Sequence, residues 1–320
     1  MRRLVLGLVL VTAGSAPAQS TPLPPAPEKP VAATSCRAFP ADNWWHADVR
    51  RLPVHPRSRQ WLTHMSTDRE LHPDFGPSYG EGPDYGIPIT VVPRSHRDVP
   101  VTFEYADESD RVRYPLGSDT RIEGGRASDG DRHAVIVETG SCRLYELYAT
   151  RVRDGRWSAG SGAVWSLRSN RLRPDGWTSA DAAGLPILPG LLRWNEVRAG
   201  RVDHAIRFTT DVTSRWHLWP ARHDAGSTSS RAYPPMGARF RLKPSWSPAG
   251  LSPAAKTVVA AMKKHGLVLA DNGSPWFFQG EQHPRWPERL IEDLKTIPAS
   301  AFVAVDTSSL KISNGSAATR

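Results

Sequence analysis

The feature that most constrains the fold is the spacing of short apolar segments between clusters of turn-forming residues. Before residue 252 the chain has no long stretch with the periodicity of an amphipathic helix. It has short apolar or alternating segments bounded by Gly, Pro, Asn and Asp, which is typical of strands. These segments span residues 87–92, 99–105, 134–137, 144–152, 163–167, 204–209, 216–219 and 238–242. The pattern predicts a mainly β fold with an antiparallel sandwich or jelly-roll-like body.

The C-terminal part of the chain has a different pattern. Ser252 is a favourable helix N-cap, Pro253 suits the first helical position, and Gly266 suits the residue after the helix. A strand at 267–270, a second helix at 287–296 and a last strand at 302–305 are predicted to follow. We therefore expect one β-rich domain over residues 36–308, of which residues 252–308 form a small α/β element. Residues 309–320 are predicted to be a disordered tail.

The N-terminal residues predict export. Residues 1–18 combine two arginines, a short apolar run and an Ala-Pro-Ala site, which are the three parts of a secretory signal peptide. A buried N-terminal helix is the alternative. Residues 19–35 contain five prolines among small residues and predict an extended tether. We expect a secreted protein, extracellular or periplasmic, because no later segment is apolar over the roughly 20 residues that span a membrane.

The cysteine content bears on the compartment of the protein, and the net charge bears on the kind of partner. Cys36 and Cys142 are the two cysteines, and in an oxidising compartment a disulfide between them is expected; two unrelated buried thiols are the alternative. The net charge of +9 predicts attraction to polyanions, such as an anionic polysaccharide or a cell-wall polymer, or is simply a solvated basic surface. No dedicated nucleic-acid motif is present. The 12 tryptophans are either sugar-stacking platforms or core residues.

The centre of the chain predicts a catalytic pair. If Thr139-Gly140 is a two-residue hairpin loop, His133 lies directly opposite Glu146. The same rule applied to the turn at Asp154-Gly155 places a small residue on the other side of Glu146. An imidazole beside a carboxylate can act as a general base with its orienting partner, or can be a plain cross-strand salt bridge. A longer loop would remove the pairing.

Further candidates surround this pair. Tyr148 shares the strand face of Glu146 and is the expected proton donor. Asp131 and Glu123, in a glycine-rich loop, and His204 and Arg207, on a strand, are expected to contact substrate. Ordinary turn residues and a core histidine are the alternatives, and His223 is a weaker candidate.

Known cofactor and nucleophile motifs do not match. The spacing of histidines and acids fits no short metal motif, so neither a metal nor another cofactor is expected. No nucleophile elbow, phosphate-binding loop or dinucleotide fingerprint occurs in a suitable context.

Several distinctive strings resemble those of a group of uncharacterised secreted bacterial proteins. They lie at residues 39–44, 106–110, 130–133, 144–148, 177–186, 219–223 and 270–274. The resemblance covers nearly all of the chain after Phe39 and favours one continuous domain. It implies no catalytic roles.

Together these features predict a secreted protein that acts on an extracellular, anionic polysaccharide by acid/base chemistry. It would be a polysaccharide lyase or a glycoside hydrolase. A non-catalytic glycan- or cell-wall-binding protein is the first alternative, and a structural envelope protein is the second.

Overall fold

A computed structural model describes residues 29–78, 80 and 82–320. The predicted signal peptide and most of the predicted tether lie outside these described residues. Strands hold 28% of the residues and helices 16%, so the predicted mainly β class is confirmed. Within the described part of the chain, no helix has the length and apolar character of a membrane span.

The elements are short. The strands are β1 (His72–Asp74), β2 (Ile89–Val92), β3 (Val101–Phe103), β4 (Ala134–Glu138), β5 (Arg143–Tyr148), β6 (Arg151–Arg153), β7 (Arg156–Ala159), β8 (Ser161–Ser166), β9 (Ile206–Thr210), β10 (Ser214–His217), β11 (Pro235–Met236), β12 (Arg239–Leu242), β13 (Leu267–Asn272), β14 (Phe277–Gln279) and β15 (Phe302–Val305). The α-helices are α1 (Ser58–Thr63), α2 (Trp194–Arg198), α3 (Pro253–Lys264) and α4 (Glu288–Leu294). Single 3-10 turns lie at Trp44–His46, Ala106–Glu108, Leu188–Gly190, Ala299–Ala301 and Ser308–Leu310.

The strands form mixed sheets. The largest has the order β1-β14-β9-β13-β12-β15, a four-stranded sheet has the order β2-β4-β5-β8, and smaller sheets are β3-β7-β6 and β10-β11. Each contains a parallel pair, for example β9 with β13 and β2 with β4. Parallel neighbours need long crossover connections, and long segments separate these strands in the chain. The predicted antiparallel arrangement therefore holds only for part of the molecule.

The helical end of the chain is part of the largest sheet. The hydroxyl of Ser252 accepts the N–H of Ala255 at 3.3 Å, and Gly266 has a φ of 77°, as the cap and stop signals predict. The strands that follow α3 do not form a separate element, because β13, β14 and β15 pair with β1, β9 and β12. The apolar faces of α3 and α4 share one core with this sheet.

The four-stranded sheet is covered on both faces. Ala134 and Ile136 of β4 point into a cluster shared with the three-stranded sheet, and Val135 and Val137 point into a cluster with the segment 180–191. The second face carries Glu146 and therefore meets the loop that builds the candidate site.

Both ends of the described chain pack against the body. The predicted disulfide between Cys36 and Cys142 is present and closes a separation of 106 residues. Val31, in the predicted tether, is buried. The predicted disordered tail is ordered: the backbone N–H of Trp44 donates to Ala317 at 2.8 Å, and Ala317 is buried. Small apolar side chains and strand-like bridges hold this segment, which composition alone did not indicate.

Candidate functional site

The hairpin between β4 and β5 has a different register from the one predicted. Its turn has four residues, because Glu138 lies opposite Arg143, and this puts Val135 opposite Glu146. The carboxylate of Glu138 accepts the N–H of Gly140 at 2.6 Å and of Ser141 at 3.1 Å, which stabilises the wider turn. The predicted pairing of His133 with Glu146 is therefore wrong. The second predicted turn is confirmed, since Glu146 lies opposite Ala163.

His133 pairs with Glu123 instead. Its Nδ1 lies 2.6 Å from a Glu123 carboxylate oxygen, and its Nε2 lies 3.1 Å from the carbonyl oxygen of Ala180. Burial opposes the charged ring, but the adjacent Glu123 carboxylate outweighs it and raises the pKa of His133 to about 9. A protonated ring donates from both nitrogens and has no lone pair for a substrate proton. His133 is thus placed as a buried cation, not as a base.

Glu146 has a structural role in this arrangement. It is fully buried, and its two carboxylate oxygens accept the N–H groups of Ile187 and Leu188, each at 2.8 Å. Burial raises its pKa to about 7, partly offset by these two hydrogen bonds. The side chain fastens the segment 180–191 to the four-stranded sheet and has no access to a substrate.

A pocket of about 440 Å³ opens where this segment meets the largest sheet. This is within the size range of small-molecule sites, roughly 300–1,000 Å³. Among the described residues, eleven of the fourteen that line it are polar; they include two tyrosines, four acidic residues and one histidine, and none is lysine or arginine. The polar lining residues are Tyr105, Glu108, Asp131, Tyr148, Ser161, Thr178, Ser179, Asp181, His223, Asp271 and Asn272.

Some of the predicted site residues line this pocket and others do not. Tyr148 and Asp131 line it. Glu123 is engaged by His133, outside the lining. His204 is fully buried elsewhere, with Nε2 3.1 Å from Glu196, so the core-histidine alternative describes its surroundings.

Arg207 lies beneath the pocket and holds two of its carboxylates. Its Nε is 3.2 Å from Asp181 and its Nη2 is 3.7 Å from Asp271. Arg207 and Asp181 are almost fully buried, whereas the Asp271 side chain is 27% exposed. Burial raises the pKa of both carboxyl groups, and the guanidinium only partly counteracts this effect. The guanidinium predicted to contact substrate is therefore already ion-paired within the protein.

The backbone of Ala182 holds a histidine and a carboxylate on one wall. Its carbonyl oxygen is 2.8 Å from Nδ1 of His223, and its N–H donates to Asp271 at 3.3 Å. A carbonyl can only accept, so Nδ1 of His223 carries the hydrogen. The neutral ring then has its lone pair on Nε2, which lies 3.8 Å from Glu108. A ring nitrogen with a lone pair and a carboxyl group with a raised pKa thus belong to two side chains that contact the same backbone residue.

Sequence reasoning missed the central residues of this wall. Asp181 and Asp271 were not singled out, and His223 was ranked low, because none of them belongs to a recognisable spacing motif. One signal was available: Asp181, His223 and Asp271 each lie in a string that carries the resemblance.

Comparison with known proteins supplies no relative. No family model, no curated protein and no solved structure matches the chain. In the part of the chain that the structure describes, no group of three or more His, Cys, Asp or Glu side chains is arranged to hold a metal ion.

Proposed function

We propose that this protein is a glycan hydrolase that acts by acid/base chemistry on an uncharged or amine-bearing sugar in this pocket. The proposal rests on the two hydrogen bonds of the Ala182 backbone, to His223 and to Asp271, which we call the clamp at Ala182. They hold the His223 imidazole and the Asp271 carboxyl group on one pocket wall. General acid/base catalysis needs such a pair within reach of one bond.

The two side chains take complementary roles. Nε2 of His223 accepts a proton from a water molecule, and the water oxygen attacks the acetal carbon. The bond from that carbon to the leaving oxygen breaks, and this oxygen takes the proton of the Asp271 carboxyl group. Burial favours the protonated form of Asp271 before the reaction. The proton on His223 returns to Asp271 through solvent and restores both groups.

The lining supports a sugar as substrate. Tyr105 and Tyr148 offer aromatic rings, and the carboxylates, Ser161 and Thr178 offer partners for hydroxyl groups. A polyuronate lyase would need a free cation to neutralise the substrate carboxylate, whereas Arg207 is occupied by Asp181 and Asp271. The acidic side chains of the lining also disfavour an anionic sugar. Hydrolysis of a neutral or amino sugar is therefore favoured over elimination from a uronate.

A screen of purified protein against chitosan, xylan, cellulose oligomers, alginate and pectate tests this proposal. We expect new reducing ends from an uncharged or amine-bearing glycan and no unsaturated products from the polyuronates. His223→Gln should lower the rate about 100-fold or more. His217→Gln is the matched control, because His217 pairs with Asp175 at 3.2 Å outside the pocket lining.

Three outcomes would overturn the proposal. Unsaturated products from a polyuronate would indicate a lyase. Binding of a glycan that is weakened by His223→Gln, without any product, would indicate a non-catalytic binding protein. Equal rates for the two histidine variants would place the chemistry elsewhere.

A further inference from the structure

We propose that the solvent-facing side of the three-stranded sheet binds an anionic polysaccharide through Arg151, Arg153 and Arg156, which we call the arginine face. This surface is separate from the acidic pocket, and the inference does not depend on the pocket's chemistry.

Strand register puts the three arginines on one side of the sheet. Arg153 lies directly opposite Arg156, and Arg151 lies two residues before Arg153 on β6. Opposed residues in an antiparallel pair, and alternate residues along a strand, share a face. The connecting turn at Asp154-Gly155 has positive φ at both residues, 49° and 71°, as a tight two-residue hairpin loop requires. The hairpin therefore presents the three side chains as a fixed group.

The arginine face is exposed and open. All three residues of β6 and Arg156 are exposed. None of the three arginines forms an ion pair with a described residue. Exposed hydroxyl side chains extend the same side of the sheet, because Thr102 of β3 pairs with Ser158 of β7, and Ser158 pairs with Arg151. Two acidic residues are close to it in the chain, Asp154 in the turn and Glu104 after β3.

Charge and spacing favour a polysaccharide over a lipid surface. Neighbouring strands are about 4.8 Å apart and alternate residues on a strand about 6.6 Å apart, so the three arginines start from a compact triangle of backbone positions that suits closely spaced acidic groups. Guanidinium binds carboxylate or sulfate with two parallel hydrogen bonds. A membrane site would need apolar anchors on the same side. Here Val152 and Trp157 lie on the other side of the sheet, where Trp157 packs against the core.

The arginine face lies next to the pocket rim. Strand β6 begins three residues after Tyr148, and β7 leads directly into Ser161, both of which line the pocket. A polyanion bound to this sheet would hold the pocket close to a mixed polysaccharide matrix. The negative charge of the polyanion would keep the polyanion itself out of the acidic pocket. Part of the net positive charge of the chain is thus assigned to a defined surface.

Affinity chromatography and binding titration on alginate and heparin test the inference. The triple variant Arg151→Ser, Arg153→Ser, Arg156→Ser is compared with Arg59→Ser, Arg198→Ser, Arg285→Ser, which removes the same charge from exposed positions on separate elements. We expect the first variant to raise Kd for both polymers roughly tenfold or more at 0.1 M salt. The control should change Kd about threefold or less, and both variants should keep the wild-type Tm.

Equal losses of affinity in the two triple variants would overturn the inference, because net charge alone would then explain binding. Vesicles of phosphatidylglycerol that bind more tightly than the polymers, and lose binding in the first variant, would assign the arginine face to a membrane instead. Hydrolysis of a short uncharged substrate should be equal in both variants. Failure of the proposed hydrolase activity leaves this binding result unaffected.

Discussion

Two buried arginine–carboxylate clusters in this molecule contain nearly the same residue types but differ in solvent access and in charge balance. At α2, Arg193 is ion-paired with Glu196, which also contacts His204, and all three side chains are at most 1% exposed. At the pocket, Arg207 is ion-paired with Asp181 and Asp271. The α2 cluster is closed to solvent on every side, whereas the pocket cluster has one carboxylate in contact with solvent.

The difference lies in charge balance as well as access. Burial opposes the ionised form of Glu196, but Arg193 and His204 outweigh it and lower its pKa, so one carboxylate has two basic partners. At the pocket one guanidinium serves two carboxylates, and burial raises the pKa of both. A closed cluster whose carboxylate has a lowered pKa stabilises the fold. An open cluster with excess carboxylate keeps a proton ready to transfer.

The largest expected difference between the clusters is in activity. Asp271→Asn should lower the hydrolysis rate about 10²–10⁴-fold, because the amide cannot donate the carboxyl proton. Glu196→Gln should leave the rate of the folded enzyme within about twofold, since Glu196 is remote from the pocket lining. Initial rates on the substrate found by the screen provide the measurement. Similar losses in both variants would contradict the assignment of the open cluster to chemistry.

The second expected difference is in stability and has the opposite order. Glu196→Gln should lower the free energy of unfolding by about 3–5 kcal/mol, because it removes the buried carboxylate that pairs with Arg193 and contacts His204. Asp271→Asn should change it by about 1 kcal/mol or less, since that side chain is 27% exposed and its charge is screened by solvent when it ionises. Urea unfolding at pH 7 compares them. A larger loss for Asp271→Asn would show that both clusters are structural.

The smallest expected effect concerns pH and the His133–Glu123 pair, which lies beside the open cluster. The folded-state pKa of His133 is raised to about 9, so its contribution is complete below about pH 6.5 and is lost as pH rises through 9. Glu123 has a lowered pKa, so its contribution is lost only as the medium becomes acidic. His133→Gln should therefore cost about 2 kcal/mol near pH 6 and much less at pH 10. A cost independent of pH would show that the ring contributes by packing alone.

The sequence predicted the local structure well where side chains act on their own backbone. Ser252, Pro253 and Gly266 set the limits of α3, and the Asp154-Gly155 turn fixed the register of Glu146 with Ala163. Each of these signals depends on residues within a few positions of one another. They need no knowledge of the rest of the fold.

The site was less predictable because it depends on long-range contacts. The register of β4 with β5 changed through two hydrogen bonds to Glu138, which the two-residue loop rule does not include. His223 and Asp271 meet only because both contact Ala182, from segments 41 and 89 residues away. Burial also changed the role of His133, since the pairing with Glu123 follows from tertiary packing. Tyr148 and Asp131 were predicted because they adjoin the hairpin of β4 and β5. The strands of this hairpin were predicted correctly, although their register was not.

At Ala182, the contacts to the proposed acid and base depend on the backbone, whereas the space left for a substrate depends on the side chain. The N–H and C=O groups of Ala182 contact the proposed acid and base, while the residue also borders the pocket. A larger side chain at this position would narrow the space for the substrate and leave both backbone contacts in place. Under the proposed function, residue 182 is therefore the position at which the preference among sugars can be changed while the acid and the base are kept.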